Sequence, residues 1–271
     1  MPVTKKTASS ASDKALIAKL VKQIRSYVQE YGTVKDSELL EQAIDDIRKH
    51  HEHQKRKSGQ PAIIHPLRVA NYICRAGLDA PTVVAAILHD IIEDTTITHK
   101  DIKNRYGAWY ADIVRGLTKI KNPESPKEGE ADYLDATYQR MLKAMTQDVR
   151  ALLIKLFDRL DNMRDMEAMP RHKQRRISLE TLNVYVPIAE RLGLTQICRE
   201  HTELCFKLLY PKRYNKTITE IDELKKARTS TINGMRISLL RTLEKNNLAF
   251  KTIEPLFVLV PSHLAEPRAG F

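Results

Sequence analysis

The sequence lacks any apolar run of the ~18 to 20 residues that a membrane-spanning helix needs. It has 3 cysteines in 271 residues and no Cys-x-x-Cys pair, which argues against a disulfide framework. The first twelve residues contain no apolar segment of the kind found in secretory signals. We therefore expect a protein of the reducing cytoplasm that has no contact with a membrane.

Aromatic residues are also few, at 6% of the chain, and they form no row interleaved with basic residues. Such rows stack the bases of bound nucleic acid, so the sequence gives no support for nucleic-acid binding. The formal net charge of +11 nevertheless indicates an anionic partner, whether nucleic acid, an anionic surface or a phosphorylated small molecule. Composition does not choose among these partners, and it leaves the oligomeric state open.

Hydrophobic periodicity predicts an all-α protein. We expect Asp13 to cap a first helix that ends at Tyr31, and Asp36 or Ser37 to begin a second. Pro187 should kink a helix that spans residues 173–192. Further predictions are a central helix capped by Asp79, a helix over 195–209, a long amphipathic helix over 218–246, a loop at 122–130 and a short β-like run within 250–260.

One stretch, residues 83–94, dominates the pattern because an almost purely apolar run ends in four ionisable side chains. Helical spacing places His89 beside Glu93 and Asp90 beside Asp94. A helix that is apolar on every side should be buried, and charged groups there need a metal, a partner or water. The stretch predicts a cation site, and its alternative is a helix end with solvated acids and one core histidine.

Five blocks, in order, now resemble a known family: RKSGQPAIIHP (56–66), ILHDIIEDT (87–95), GLTKI (116–120), LIKLFDRLDNMRDM (153–166) and ETLNVYVPIAERLGL (180–194). The chain is similar over residues 40–210 to the hydrolase half of RelA/SpoT proteins, which are HD-superfamily enzymes of alarmone metabolism. The resemblance implies an HD-domain helical bundle with C-terminal linker-type helices. That fold agrees with the all-α prediction from periodicity.

The resemblance also implies a division of the chain. We expect a flexible tail at 1–12, the HD hydrolase domain at 13–210, a C-terminal helical extension at 211–260 and a disordered tail at 261–271. No segment resembles the blocks of the family's synthetase domain. The expectation is therefore a stand-alone alarmone hydrolase, or a hydrolase-only remnant, that does not make alarmone.

The matched motifs of the family imply which residues of this chain form its site. The implied metal ligands are His65, His89, Asp90 and Asp158. Two imidazoles and two carboxylates leave room for water on an octahedral ion, which suits Mn²⁺ better than a closed zinc site, with another divalent ion as the alternative. Glu93 and Asp94 match a Glu-Asp pair that positions and activates water, although orientation of water without proton transfer is the alternative. The implied substrate-binding residues are Arg56, Lys57, Ser58, Arg159 and Asn162, and Tyr185 is a weaker candidate.

The chain departs from the family at several positions. The family usually reads DRLHNMRT where this chain has Asp161 for the histidine and Asp165 for the threonine. An acid at 165 would either accept hydrogen bonds from a guanine edge or repel a phosphate. The family's usual Glu-Asn before its R-K-M-L segment appears here as Ala136-Thr137. These changes concern the choice of substrate more than the metal site.

The resemblance implies a metal-dependent (p)ppGpp 3′-pyrophosphohydrolase, that is, a guanosine-3′,5′-bis(diphosphate) 3′-diphosphatase of the stringent response. Its substrate partner would be a guanine nucleotide alarmone, and its products pyrophosphate and GDP or GTP. One alternative is another 3′-phosphorylated nucleotide, such as an adenine alarmone or NADPH. A second alternative is a catalytically idle module that binds alarmone.

Overall fold

The computed structural model describes residues 10–121 and 130–246, and within those two ranges the chain is helical with no strand. The predicted all-α class is confirmed. The helices are α1 (Ala11–Tyr31), α2 (Val34–His51), α3 (Ile64–Arg75), α4 (Ala80–Leu88), α5 (Ile91–Asp94), α6 (His99–Tyr106), α7 (Ala108–Lys121), α8 (Glu130–Gln147), α9 (Val149–Arg164), α10 (Arg171–Glu180), α11 (Val186–Arg191), α12 (Thr195–Leu209) and α13 (Pro211–Lys245).

The first helix begins earlier than predicted, because the cap is Ser10 and not Asp13. The Ser10 hydroxyl accepts from the backbone N–H of Asp13, and the Asp13 carboxylate accepts from the backbone N–H of Ser10. In such a capping box the acid sits three residues inside the helix. Thr33 and Asp36 repeat the arrangement at the start of α2, so the second predicted start was also late.

The predicted central helix is interrupted at His89 and Asp90, two of the predicted metal ligands. Helix α4 begins after its predicted cap, Asp79, and ends at Leu88. His89 keeps helical dihedral angles, but Asp90 does not, and the four-residue helix α5 begins after it. The backbone N–H groups of Glu93 and Asp94 both donate to the Asp90 carbonyl, at 3.0 Å. Because of this break, the side chains on its two sides do not follow the spacing of one continuous helix.

The helix predicted over 173–192 is irregular just ahead of Pro187, where a kink was expected. Helix α10 gives way to a π-helical turn at Thr181–Tyr185, and α11 starts just ahead of the proline. Proline has no N–H, and its ring crowds the carbonyl four residues earlier, so a widened turn is a natural accommodation. This turn brings Tyr185 into the interior, where it is buried.

Helix α9 lies at the centre of the bundle. It packs against α3, α4, α7, α8 and α12, and apolar side chains from most of these helices form one continuous core. Four of its core residues are wholly or almost wholly buried: Leu152, Ile154, Leu156 and Leu160. The N-terminal helices α1 to α4 pack among themselves on one side of α9. Any polar side chain that α9 carries toward α3 or α4 is therefore removed from solvent.

The last helix begins at Pro211, seven residues before the predicted start, and packs against α12. Much of its surface is open to solvent, including Leu224, Met235 and Leu239. The predicted loop at 122–130 and the β-like run in 250–260 fall almost wholly outside the described residues, as does the tail at 261–271. Residues 11 and 12, assigned by the sequence to a tail, are helical. The domain division itself stays a prediction.

Two glycine-to-alanine substitutions should change stability in opposite directions. A Cβ on Gly32 would lie 2.6 Å from the Val28 carbonyl oxygen and 2.9 Å from the Ala80 Cβ, whereas one on Gly116 in α7 would meet nothing within 4 Å. We expect Gly32→Ala to lower the free energy of unfolding by ~1 to 3 kcal/mol through overpacking. Gly116→Ala should raise it by ~0.4 to 1 kcal/mol, because alanine loses less backbone entropy in a helix. Urea unfolding of both variants measures this, and a neutral Gly32→Ala would contradict the close packing of α1 against α4.

Candidate metal centre

Four side chains from three separate places in the chain converge where α3, α4 and α9 meet. His65 comes from the first turn of α3, His89 and Asp90 from the break after α4, and Asp158 from the middle of α9. One nitrogen or oxygen from each lies within 4.8 Å of all the others. His65, His89 and Asp158 are buried, and Asp90 is partly exposed. All four predicted ligands are thus neighbours in space.

The donor atoms face one another closely. The Nε2 atom of His65 lies 3.2 Å from Nε2 of His89 and 3.2 Å from Oδ1 of Asp158. The Nε2 atom of His89 lies 3.2 Å from Oδ2 of Asp90. The Nδ1 atom of His89 bonds to the Ala86 carbonyl at 2.8 Å, which leaves Nε2 directed into the cluster. Two imidazoles and two carboxylates are a donor set that fits a divalent cation.

The pKa values of the cluster residues indicate that its carboxylates need positive charge beside them. Burial alone would lower the pKa of His65, but hydrogen bonds to three carboxylates outweigh it and raise the pKa to about 10. Burial also opposes the charged form of His89, yet Asp90 and Asp158 raise its pKa to about 9. The pKa values of both aspartates, which burial would raise, are held well below the usual range by their cationic neighbours. Protons on the imidazoles thus balance the carboxylates, as a cation would.

Two further charged residues complete the centre, and local sequence reasoning did not assign them to it. The ammonium group of Lys155 lies 2.6 Å from Oδ2 of Asp158, and both side chains are buried. Asp161, noted only as a departure from the family, lies 2.7 Å from Nδ1 of His65 and is fully buried. The available signal was charge within the apolar pattern of α9, at three-residue intervals from Asp158.

The Glu-Asp pair lies in α5, directly after Asp90. Glu93 is partly exposed and Asp94 is exposed, so the two carboxylates differ in their access to solvent. The side-chain amide of Gln54 donates to the Asp94 carbonyl at 2.9 Å, which ties α5 to the turn ahead of α3. Both residues adjoin the cluster in the chain, and neither belongs to the four-residue donor group.

A cavity of about 330 Å³ opens beside the cluster, and Asp158 is part of its wall. All five predicted substrate-binding residues line it: Arg56, Lys57, Ser58, Arg159 and Asn162. Lys57 and Ser58 are exposed at its edge. Two charged side chains, Lys155 and Asp165, and three apolar ones, Met166, Met169 and Ile177, form the rest of the lining. The cavity therefore combines a basic wall, an apolar wall and one member of the donor group.

The two arginines of this cavity are held by other side chains. Arg56 donates to Asp165 at 2.9 Å and to Asp161 at 3.1 Å, and it also bonds to Asn162. Arg159 donates to Glu180 at 2.9 Å and to the Tyr185 hydroxyl at 2.8 Å. Both guanidinium groups are therefore oriented before any ligand arrives. The family resemblance had implied both arginines as substrate-binding residues, without these protein partners.

A protein-family model for the HD domain matches residues 43–195. The chain belongs to the HD-domain family. The match contains the four-residue cluster and all the residues that line the cavity. Within the described residues no helix has the length and hydropathy of a bilayer span.

Comparison with individual curated proteins is more specific than the match to the HD-domain family. The chain is 42% identical over 197 residues to the guanosine-3′,5′-bis(diphosphate) 3′-pyrophosphohydrolase of Vibrio cholerae, which covers 72% of this chain and 27% of that protein. It is 40% identical to the bifunctional (p)ppGpp synthase/hydrolase SpoT of Escherichia coli, over 72% of this chain and 28% of SpoT. A probable GTP pyrophosphokinase of Mycobacterium leprae is 33% identical over 89% of this chain and 32% of its own length. The chain thus spans about three tenths of these relatives, and the predicted resemblance to RelA/SpoT proteins is confirmed.

The raised histidine pKa values predict how stability depends on pH in chelator-treated protein. A group whose pKa is higher in the folded state than its ordinary value of 6.5 stabilises the fold fully below pH 6.5. That stabilisation is lost as the pH rises through the folded values of about 9 and 10. We expect the melting temperature to fall steadily from pH 6.5 to 10, and to fall less steeply in His89→Gln. A flat or rising profile for the unsubstituted protein would contradict protonated imidazoles in the cluster.

Proposed function

We propose that this chain is a metal-dependent (p)ppGpp 3′-pyrophosphohydrolase that releases pyrophosphate and leaves GDP or GTP. The observation that carries the proposal is a two-histidine, two-aspartate cluster that shares Asp158 with a basic cavity. The activities for which the Vibrio cholerae and Escherichia coli relatives are named support the substrate class. The three cysteines are buried and unpaired, which supports a reducing, cytoplasmic setting.

His65, His89, Asp90 and Asp158 are the proposed ligands, and Mn²⁺ is the proposed ion. When bound, the ion supplies a Lewis acid that polarises the phosphorus–oxygen bond and acidifies the attacking water. Four ligands from the protein leave positions for water and substrate oxygens on an octahedral ion. Nδ1 of each histidine is already bonded to an oxygen, so both Nε2 atoms are oriented toward the centre.

Glu93 is the proposed proton acceptor. Water attacks the 3′-phosphorus, the bond between that phosphorus and the ribose 3′-oxygen breaks, and the 3′-oxygen leaves as a hydroxyl after gaining a proton. Glu93 takes the proton that the attacking water loses. Its place in α5, three residues after Asp90, supports this role, and Asp94 is the proposed partner that orients the water.

The cavity residues are the proposed nucleotide contacts. Lys57 and Ser58 are exposed at its edge, where an ammonium group and a hydroxyl can meet phosphate oxygens. Arg56 and Arg159 present oriented guanidinium planes, which suit a base face or a phosphate. Asn162 donates to Oδ1 of Asp158 at 2.5 Å, so its amide spans the proposed ligand set and the cavity.

Incubation of purified protein with ppGpp, pppGpp, ppApp and NADPH, with Mn²⁺ or with a chelator, tests the function. We expect pyrophosphate and GDP or GTP from the guanine alarmones in the presence of Mn²⁺, and no turnover after chelation, since the ion polarises the scissile bond. Faster turnover of ppApp or NADPH would replace the proposed substrate. Alarmone binding without turnover under any divalent ion would identify an idle binding module and refute the enzyme assignment.

Substitution of Glu93 by glutamine separates proton transfer from metal binding. Glutamine keeps the size and the hydrogen-bonding capacity but accepts no proton, so kcat should fall by roughly 10² to 10⁴. Mn²⁺ content and nucleotide affinity should stay close to those of the unsubstituted protein. Glu223→Gln, on the exposed surface of α13, is the matched control and should leave kcat unchanged. Near-normal single-turnover rates in Glu93→Gln would remove Glu93 from the mechanism and make Asp94 the candidate base.

A further inference from the structure

Asp161 is a buried carboxylate beside the proposed ligands, with four charged or polar side chains around it. It lies on α9, one turn after Asp158, and its side chain is completely buried. Besides His65, its carboxylate meets Arg56 at 3.1 Å, the Tyr72 hydroxyl at 3.4 Å and Arg68 at 3.9 Å. A buried carboxylate needs such partners to offset the loss of hydration. Two roles are open to this carboxylate: it serves packing alone, or it also orients a proposed metal ligand.

The contact with His65 distinguishes the two roles. Oδ2 of Asp161 is 2.7 Å from Nδ1 of His65, while Nε2 of the same ring faces Asp158 at 3.2 Å. A carboxylate on Nδ1 keeps the hydrogen there and directs the Nε2 lone pair to the opposite side. His89 is oriented differently, because its Nδ1 bonds to a carbonyl one turn back in its own helix. Of these two histidines, His65 has a carboxylate from another helix on its Nδ1, whereas His89 has a backbone carbonyl there.

The same carboxylate oxygen also contacts the basic turn. Arg56 reaches Oδ2 of Asp161 and, one helical turn along, Oδ2 of Asp165. Arg68 lies 3.9 Å from both carboxylates, so two acids are balanced by two arginines. The turn that carries Arg56, Lys57 and Ser58 is therefore connected to a proposed metal ligand through one atom. Asp165 shares the arginines but has no contact with His65, which makes it a natural control.

We propose that Asp161 is a positioning residue that holds His65 ready for the divalent ion and connects this ligand to the basic turn. The inference rests on the proposed function, because it gives Asp161 a part in retaining the same ion. The predicted ligand set ended at four residues. Asp161 would be the charged partner behind one of them.

The test compares Mn²⁺ affinity, by calorimetric titration of chelator-stripped protein, for the unsubstituted chain, Asp161→Asn and Asp165→Asn. Each variant exchanges one carboxylate that bonds to Arg56 for a neutral amide of the same shape. Loss of such an outer partner typically weakens metal binding by about 10- to 100-fold. We expect that loss for Asp161→Asn, and an affinity close to that of the unsubstituted chain for Asp165→Asn. Circular dichroism spectra of both variants serve as the control for folding.

Two results would overturn the inference while leaving the function standing. One is a folded Asp161→Asn that binds Mn²⁺ as tightly as the unsubstituted chain. The other is an equal loss in both variants, which would trace the effect to Arg56 and not to His65. If the unsubstituted chain bound no divalent ion at all, the proposed function would fail first, and the inference would fail with it.

A second measurement needs no substitution at Asp161, so it holds even if that variant does not fold. In long-range ¹⁵N–¹H spectra of the Zn²⁺-loaded protein, the imidazole of His65 should carry its hydrogen on Nδ1. Its signals are assigned by their disappearance in His65→Gln. A His65 ring with its hydrogen on Nε2 would contradict the proposed orientation.

Discussion

Charge balance at the junction of α3, α4 and α9 is the constraint on which the rest of the site depends. Three largely buried carboxylates, those of Asp90, Asp158 and Asp161, share this space with two imidazoles and the ammonium group of Lys155. Removing one member would leave an uncompensated buried charge, which typically costs ~3 to 5 kcal/mol. The set is therefore interdependent. A divalent ion could replace the imidazole protons because it supplies the same positive charge at the same point.

The His/Asp cluster and the adjoining cavity are physically continuous. Asp158 belongs to both, Asn162 bonds to Asp158 and to Arg56, and Asp161 contacts Arg56 and His65. Groups that share partners in this way do not respond independently to substitution. Because internal partners orient the cavity's arginines before any ligand binds, part of their ordering entropy is already lost on folding. The outcome is a cavity whose basic wall is preorganised beside the cluster.

Some features of the fold could be explained from the local sequence, and others could not be predicted from it. The π-turn before Pro187 follows from the missing N–H and the bulk of the ring. The starts of α1 and α2 were misplaced, because a capping box presents two polar residues and only spatial contact shows which is the cap. Lys155 was missed since one lysine in an apolar run reads equally well as a residue that reaches solvent. The break at Asp90 gave no local signal, because no glycine or proline marks it.

The sequence by itself determined the helical class, the apolar faces and, through five ordered blocks, the resemblance that named four donor residues. Those choices depend on side-chain type and on spacing within one helix, which the chain displays directly. Only the tertiary structure decided that His65, His89, Asp90 and Asp158 meet, that Lys155 and Asp161 join them, and that Arg56 is bonded to two acids. These contacts span up to 109 positions. Apart from the Lys155–Asp158 pair within α9, they arise from the packing of α3, the turn ahead of it and the end of α4 on α9. Periodicity within a single helix carries no information about which residues of another helix will face it.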